Sequence, residues 1–441
     1  MCVRWADYIC SFIAGILIIT LTLVCILFCP ILRFYRRRKQ AGKKGSPPNS
    51  LLIIGYVPIA EARSKGILQE NYDKWYNPGS CFKRVTVVIV SGREKKNEFL
   101  TGSILYRECP PFSFFSQLGF RFTARILGLI PATALVIRHS LSLDVAQING
   151  PNISAVSGLL MKMMTGIPSV VFIEAFWEDI LKYQKNLPSL LIRLMPYWYR
   201  IIYRCFDGYV GGPSLYPDRY IALGVSRKKI FTYISDIDIN EIIEYSNKGS
   251  LFEGLLDKER PWFVTVGRLH PEKLSTDALS AFEHHVESGG KGSFIFIGDG
   301  PLNVELKQRA EQLGGKVIFT GALQFPDMAA TVKACDVFVA TYQGNALIEA
   351  MALGVPVVAY DNPPHRGLVF GEDTVLFSPD RQPEKLGEKF SKIAGEKDSA
   401  GKKCQDWMRA IYSRENIDQA LSEPFEVVYG YKRRVKSTVN G

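Results

Sequence analysis

The sequence predicts an α/β protein with two Rossmann-like domains, each a doubly wound parallel sheet, preceded by one N-terminal transmembrane helix. Short continuous apolar runs, such as VTVVIV at residues 85–90, are typical of strands that helices cover on both faces. These runs alternate with helix-forming segments, which is the rhythm of βαβ units. Residues 8–32 are almost wholly apolar and uncharged, and this length suits one crossing of a bilayer.

Length and charge narrow the class of protein. The 441 residues suffice for two domains and an appendage. Of the net charge of +11, residues 1–44 supply eight Lys or Arg against one Asp, and residues 431–441 supply four without an acid, so the chain between them is neutral. A nucleic-acid binder carries its charge on a domain face, so no nucleic-acid partner is expected. Nine cysteines without a CxxC pair favour a reducing compartment and argue against a zinc site.

The apolar N-terminal segment is interpreted as a permanent anchor, because a cleaved signal peptide has a shorter core and a small-residue cleavage site. Seven basic residues follow within residues 33–44, against Arg4 in front, so the positive-inside rule predicts that the remaining chain is cytoplasmic. The same cluster is predicted to contact membrane head groups, although a plain stop-transfer flank has the same composition. Glycosylation at Asn152, in the pattern Asn-Ile-Ser, would instead indicate a lumenal chain.

The first domain opens with a buried strand at residues 51–55, after a polar linker. Residues 144–150 predict another strand, residues 154–164 a helix, and residues 169–173 the strand that ends at Glu174. Ligands of open α/β sheets bind at the carboxyl ends of strands, so Glu174 is a candidate for an acceptor site. The alternative is that the acidic residues just after it only cap the next helix.

The second domain opens with a strand that ends in Gly267 and is followed by Arg268 and Lys273. A glycine at the strand end lets the backbone approach a ligand closely. The two cations can stabilise the negative charge that develops on a diphosphate leaving group, so neither a base nor a metal ion is required for that purpose. Taken alone, such residues are more often ordinary surface charges.

Residues 336–361 predict a strand at 336–340, a loop, a helix at 346–353 and a further strand. The helix is stopped by Gly354 and Pro356. A helix that opens on a glycine turn just after a parallel strand offers free N–H groups to a phosphate, and these groups belong to Gly344, Asn345, Ala346 and Leu347. Glu349 lies one turn into this helix, where its carboxylate can accept hydrogen bonds from two ribose hydroxyls.

Residues 335–339 (CDVFV) and 345–359 (NALIEAMALGVPVVA) resemble the nucleotide-sugar site of the retaining family-4 glycosyltransferases, and residues 262–273 resemble the same site. The resemblance implies the GT-B fold, in which two Rossmann-like domains face a cleft. It implies that Arg268 and Lys273 bind the donor diphosphate and that Glu349 binds the ribose.

Three features depart from the pattern of this family. The family usually carries two glutamates separated by seven residues, and Thr341 stands where the first would be. This first glutamate would have touched the transferred sugar. No glycine pair follows the strand at residues 51–55, and Glu174-Ala175 stands where many members have His-Gly.

The sequence therefore predicts a metal-independent, hexosyltransferase-like enzyme without a cofactor. Its co-substrate is a UDP- or GDP-linked sugar, and its catalytic residues are Arg268, Lys273, Glu349 and Glu174. The predicted acceptor is a polyprenyl-linked glycan or glycolipid at the cytoplasmic face of the membrane. Residues 112–130 and 190–206 combine arginines on one helical face with aromatic side chains, which is typical of a membrane-facing dock or of a core helix with a charged edge.

Two other functions remain open. A catalytically inactive relative would bind a nucleotide sugar and act as a subunit of a membrane glycosylation complex with partner glycosyltransferases. A membrane-bound Rossmann oxidoreductase is disfavoured, because no GxGxxG fingerprint is present. The predicted division of the chain is an anchor at 1–44, an acceptor-side domain at 45–245, a nucleotide-sugar domain at 246–420 and a basic tail at 421–441.

Overall fold

The computed structural model divides the chain into two compact units, Met1–Asp236 together with Ile417–Gly441, and Ile237–Asn416. The four-part functional division given above stays a prediction. The structure describes residues 29–41, 46–55, 57–60, 72, 76–77, 80–90, 96–110, 121–150, 153–173, 197, 200, 204–211, 217–232, 237–342, 344–362, 365–367 and 375–430.

An eight-stranded sheet forms the first unit. Its strands are β1 (Ser50–Gly55), β2 (Arg84–Ile89), β3 (Lys96–Phe99), β4 (Ile104–Glu108), β5 (Val145–Asn149), β6 (Ser169–Ile173), β7 (Gly208–Gly211) and β8 (Ile230–Thr232). They follow the order β3-β4-β2-β1-β5-β6-β7-β8, and β3 alone is antiparallel to its neighbour. Because β1 lies between β2 and β5, the winding reverses there, as in a doubly wound sheet.

Helices bury the strands of this sheet. They are α1 (Cys29–Gln40), α2 (Arg121–Ser140), α3 (Ile153–Thr165), α4 (Pro217–Ala222) and the C-terminal helix Arg414–Tyr429. One apolar cluster joins β-strand residues such as Ile148 to Val136 of α2. A second cluster joins Val87 to Phe425 of the C-terminal helix, whose ring lies 5.2 Å from that of Phe82. The continuous apolar runs of the sequence are thus strands buried by helices.

The helix α1 carries the basic cluster that was predicted to contact membrane head groups. Arg33 donates two hydrogen bonds to the carbonyl oxygen of Met163, at 3.2 and 2.7 Å. Arg36 is buried and donates to the carbonyl oxygen of Asp144 at 2.9 Å. Two of the predicted lipid-binding cations are therefore hydrogen-bonded to the protein itself.

The prediction of a single-pass anchor is wrong. So is the prediction, which depends on it, that the chain lies on the cytoplasmic side of a membrane. Within the described part of the chain, every helix is too short or too polar to span a bilayer. The helix α1 has 12 residues and carries three basic residues in its last turn. Residues 8–28 of the predicted span lie outside the described residues, as do residues 112–120 and most of residues 190–206.

A six-stranded, wholly parallel sheet forms the second unit. Its strands are β9 (Trp262–Val266), β10 (Ser293–Ile297), β11 (Val317–Gly321), β12 (Val337–Ala340), β13 (Val357–Asp361) and β14 (Val375–Pro379). The order β11-β10-β9-β12-β13-β14 is that of two mononucleotide-binding halves joined side by side. The winding therefore reverses between β9 and β12, which are direct neighbours.

The helices of the second unit are α5 (Ile239–Lys248), α6 (Ser275–Glu287), α7 (Asn303–Ala310), α8 (Phe325–Ala334), α9 (Asn345–Ala352), α10 (Pro383–Gly387), α11 (Phe390–Gly395) and α12 (Lys397–Ile411). Aromatic rings fill the core between sheet and helices. Phe263 stacks on Phe390 at 4.7 Å between centroids, and Phe282 lies 5.4 Å from Phe294. This packing joins the sheet to the helices α6 and α11.

Candidate nucleotide-sugar site

A cavity of about 210 Å³ lies at the carboxyl ends of β9 and β12. Its lining comes from the segments that follow these two strands and from the start of α9, namely residues 265–269, 273, 275, 338–342 and 344–347. In doubly wound sheets, ligands bind at the point where the winding reverses, because the loops on either side diverge and leave a crevice. The topology alone therefore places a binding site here.

Glycines bring the backbone close together on one side of this cavity. Gly267 has φ +153°, a conformation that favours glycine, and its N–H donates to the carbonyl oxygen of Ile297 at 3.0 Å. A Cβ atom on Gly298 would lie 2.0 Å from the carbonyl oxygen of Gly267. The turn after β9 thus leaves the Gly267 backbone in the cavity wall without a side chain in front of it.

Arg268 lines the cavity with a side chain that is 67% exposed. Its guanidinium is hydrogen-bonded to the carboxylate of Glu272, four residues along the chain. Glu272 is itself held by the short helix Pro271–Lys273, where its N–H donates to the imidazole of His270 at 3.3 Å. Arg268 is therefore presented toward the cavity by a local partner and keeps most of its surface open to a ligand.

Lys273 lines the same cavity and is packed more tightly. Its ammonium lies 3.8 Å from the centre of the Tyr342 ring, a cation–π distance. Burial lowers the pKa of Lys273; the neighbouring Arg268 lowers it further, while Glu272 opposes the shift. The hydroxyl of Thr341 donates to the Lys273 carbonyl oxygen at 3.2 Å. An anion bound in the cavity would offset the free-energy cost of removing this ammonium from water.

The helix α9 points its amino end at the cavity, since Gly344, Asn345, Ala346 and Leu347 all belong to the lining. The N-cap residue of this helix is Gly344, which has no side chain that could cap it. The first N–H groups of a helix have no partner within the helix, and they carry the positive end of its dipole. Two cations and an open helix start therefore surround one volume, and such a set of donors suits a diphosphate.

Glu349 lies one turn into α9 and is partly buried. Among the described residues, no hydrogen bond or ion pair is made by its carboxylate. Burial raises its pKa from 4.5 to about 7. A carboxylate withdrawn from water without a donor is costly, so this position is suited to a ligand that brings hydroxyl groups.

The structure brings most of the predicted site residues together. Gly267, Arg268, Lys273 and the four residues 344–347 line one cavity. Glu349 is on the same helix as the last of these but does not line the cavity. Glu174 follows β6 in the chain and lies outside the described residues. The catalytic and binding roles assigned to these residues stay predictions.

Two neighbours of the cations were missed from the sequence. Glu272 stands at i+4 from Arg268, the spacing of a helical ion pair, and this was a detectable signal. The ring of Tyr342 beneath Lys273 could not be found in the same way, because the two residues are distant in sequence and meet only through the pairing of β9 with β12. Within the described residues, no cluster of three or more His, Cys, Asp or Glu side chains could hold a metal ion.

Comparisons with known proteins agree with this geometry. The profile of the family described as "Glycosyl transferases group 1" matches residues 260–396. Alpha-monoglucosyldiacylglycerol synthase from Streptococcus pneumoniae is 27% identical over 193 residues, covering 38% of this chain and 43% of that protein. The 2-deoxystreptamine glucosyltransferase of Streptomyces kanamyceticus is 31% identical over 113 residues, covering 24% and 29%. The chain thus spans less than half the length of these curated relatives.

Solved structures show the fold over a larger part of the chain. The Anabaena protein HepE, crystallised with UDP, has a TM-score of 0.61 at 16% identity, covering 86% of this chain and all of that one. Sucrose-phosphate synthase from Thermosynechococcus elongatus has a TM-score of 0.60 at 15% identity, covering 87% and 99%. The predicted α/β fold with two parallel-sheet domains is confirmed, and residues 260–396 match the glycosyltransferase group 1 family.

Proposed function

We propose that this protein transfers a sugar from a nucleotide diphosphate donor to a lipid-linked acceptor, with retention of the anomeric configuration. One observation carries the donor half of this proposal. Arg268, Lys273 and the open start of α9 line a single cavity at the point where the winding of the second sheet reverses. This arrangement supplies positive charge and N–H donors to a diphosphate.

The donor is expected to lie with its diphosphate between the two cations and the start of α9. Its ribose then lies toward Glu349, whose carboxylate accepts hydrogen bonds from two hydroxyls. These bonds would replace the water that Glu349 has lost and would offset the cost of its burial. The donor is UDP- or GDP-linked, and UDP is the first choice for a test because HepE was crystallised with it.

In the reaction, the bond between the anomeric carbon and the diphosphate oxygen breaks, and the acceptor oxygen forms a new bond to that carbon. The acceptor proton passes to the departing diphosphate, whose developing charge is stabilised by Arg268 and Lys273. Such fixed positive charge contributes because it costs no reorganisation during the reaction. Both cations are in place in the cavity wall before a ligand binds.

The acceptor is proposed from similarity alone. The Streptococcus pneumoniae relative is named for a glucosylated diacylglycerol, which is a lipid carrying the sugar. A polyprenyl-linked glycan is the other acceptor of this kind. Glu174 is the candidate acceptor residue, placed by its position directly after β6.

A second function is favoured by one specific feature, the residue at position 341. The resemblance leads us to expect a glutamate there, but Thr341 uses its hydroxyl to hold the Lys273 backbone. Among the described residues that line the cavity, none is a carboxylate. The chain could then bind a nucleotide sugar without turnover and serve as a subunit beside partner glycosyltransferases.

One experiment separates these functions. The full chain is titrated with UDP and GDP by calorimetry, and it is then incubated with UDP-glucose or GDP-mannose and with diacylglycerol in mixed micelles. Release of the nucleotide together with a glycosylated lipid, in which the anomeric configuration is that of the donor, supports the enzyme. Binding without release supports the inactive subunit. If neither nucleotide binds at millimolar concentration, both functions are excluded.

A further inference from the structure

Four basic side chains of the first unit, none of them assigned a role above, lie close enough to interact electrostatically at His139. Arg84 is the first residue of β2, Arg107 lies in β4, and Arg138 and His139 belong to the last turn of α2. Arg107 pairs in register with Val88, which packs against α2, so Arg107 faces this helix. Arg84 and Arg138 are exposed, whereas Arg107 and His139 are partly buried.

Among the described residues, these four basic side chains donate few hydrogen bonds to protein groups. Arg84 donates one hydrogen bond, to the carbonyl oxygen of Ser142 at 3.1 Å. Among the residues that the structure describes, the buried Nε atom of Arg107 and the buried Nε2 atom of His139 have no hydrogen-bond partner. In the described part of the chain, no carboxylate forms an ion pair with any of these arginines. Buried nitrogens of this kind normally have a partner, so the cluster lacks one.

The pKa of the His139 imidazole is affected by the positive charges around it. Burial and then the charges of Arg107, Arg138 and Arg84, in that order, together lower its pKa to about 4. Three guanidiniums thus act on one buried ring without a compensating anion. Like charges held together in this way destabilise the protein unless a counter-charge is bound.

We propose that Arg84, Arg107, Arg138 and His139 form an anion site that binds a phosphate-bearing ligand. The guanidinium groups offer forked pairs of donors that match phosphate oxygens, and several of them around one volume suit a multiply charged anion better than a single carboxylate. His139 is neutral at pH 7 and can donate one N–H without adding to the repulsion.

This anion site is distinct from the donor cavity and from the predicted acceptor residue. Arg84 begins β2, and Arg138 and His139 precede β5, so these three lie at the amino ends of their strands, whereas Arg107 is next to last in β4. Glu174 follows the carboxyl end of β6. The donor cavity is built wholly from residues of the second unit. The anion site does not depend on the proposed transfer reaction.

The test follows the side chain of His139 by NMR in the full chain, with its signal assigned by its loss in His139→Gln. Inorganic pyrophosphate is expected to bind with saturation below about 1 mM and to raise the titration midpoint of His139 by about one pH unit or more, because an anion favours the imidazolium. Arg138→Gln is expected to weaken pyrophosphate binding about tenfold, since one charge-assisted contact is lost. Arg227→Gln, an exposed arginine of the same unit, is the matched control.

A second arm replaces pyrophosphate by vesicles of phosphatidylcholine with and without phosphatidic acid, which separates a free phosphate from a lipid head group. Saturable binding of either phosphate that Arg138→Gln weakens and Arg227→Gln spares supports the site. An unmoved His139 signal in both arms, or equal weakening by the two variants, overturns it. Arg107→Gln serves as a second probe if its amide spectrum shows a native fold.

Discussion

Asp144 in the first unit and Glu349 in the second are both carboxylates withdrawn from water, and their surroundings differ. The Oδ2 atom of Asp144 accepts hydrogen bonds from the Ser50 hydroxyl and the Asn49 N–H, both at 2.9 Å. Among the described residues, nothing donates to the Glu349 carboxylate, and burial raises its pKa to about 7. Asp144 thus stabilises the fold, whereas Glu349 is left for a ligand.

The cations of the two units differ in the same way. Arg36 is buried and bound to a backbone carbonyl oxygen, and Arg33 is bound to another. Arg268 and Lys273 line a cavity, where Arg268 is hydrogen-bonded to Glu272 and the ammonium of Lys273 lies over the ring of Tyr342. Charges whose donors are used by the protein hold structure, and charges that remain open can bind ligands.

Among the substitutions that test this comparison, Arg268→Ala is expected to have the largest effect, which is a loss of turnover. Removing one preorganised donor to a developing negative charge reduces turnover by about 10²–10³-fold. Because Arg268 is mostly exposed, the free energy of unfolding should change by no more than about 0.5 kcal/mol. The measurement is nucleotide release from the donor that proves active, together with a urea denaturation curve.

The matched control for Arg268→Ala is Lys291→Ala, which removes an exposed cation from the same unit at a position outside the cavity. Lys291→Ala should leave turnover unchanged. Full activity in Arg268→Ala would show that the open cation of the second unit has no role in the reaction.

Helices and strands of both units were predictable from the sequence. The predicted helix at residues 346–353 is observed as Asn345–Ala352, and the predicted strand at 336–340 as Val337–Ala340. Both elements are specified by local signals, namely an apolar run and a glycine stop. A cavity formed by adjacent strand ends then follows from the order of the strands.

The hydrogen-bond partners of the basic residues in α1 could not be predicted from local signals. Arg36 finds its acceptor 108 residues further along the chain, and Arg33 finds its acceptor 130 residues away. Such pairing depends on how α1 packs against α3, and composition does not encode it. The same composition fits a lipid-facing cluster, which is why the sequence favoured a membrane contact.

Arg36→Ala tests whether a cation that is hydrogen-bonded within the first unit stabilises the fold. This substitution should lower the free energy of unfolding. It leaves the Asp144 carbonyl oxygen without its donor and removes a buried side chain, at a cost of about 1–3 kcal/mol. Arg37→Ala, its exposed neighbour on the same helix, should change stability by less than about 0.5 kcal/mol. The urea midpoints of the two variants give the difference. Equal midpoints would show that the docking of α1 contributes nothing.

The open carboxylate of Glu349 predicts a pH dependence of nucleotide binding. Only the ionised form can accept two ribose hydroxyls, so with a pKa of about 7 the association constant should rise about tenfold between pH 6 and pH 8. Uridine is the probe for calorimetry, because it lacks phosphates that titrate in this range. Glu349→Gln should bind uridine more weakly at pH 8 and show no such rise.

The raised pKa of Glu349 affects the stability of the ligand-free protein in the opposite direction: stability should fall as the pH rises. The folded-state pKa of Glu349 is raised above its usual value, so the folded state holds the proton more tightly than the unfolded chain. Stability from this group is present below about pH 4.5 and is lost as the pH rises to about 7. Uridine should therefore stabilise the protein more at pH 8 than at pH 6. Equal stabilisation at both values would contradict an ionising Glu349 at the ribose.

The smallest expected effect concerns the ring beneath Lys273. Tyr342→Ala removes a cation–π contact of about 0.5–2 kcal/mol, so the ammonium is held less firmly and affinity for UDP should fall about 2–10-fold. Tyr342→Phe keeps the ring and should stay within about twofold of the wild type, since the ring face carries the interaction. Calorimetry of UDP binding measures both. A loss as large in Tyr342→Phe as in Tyr342→Ala would assign the effect to the hydroxyl and leave Lys273 positioned without its aromatic neighbour.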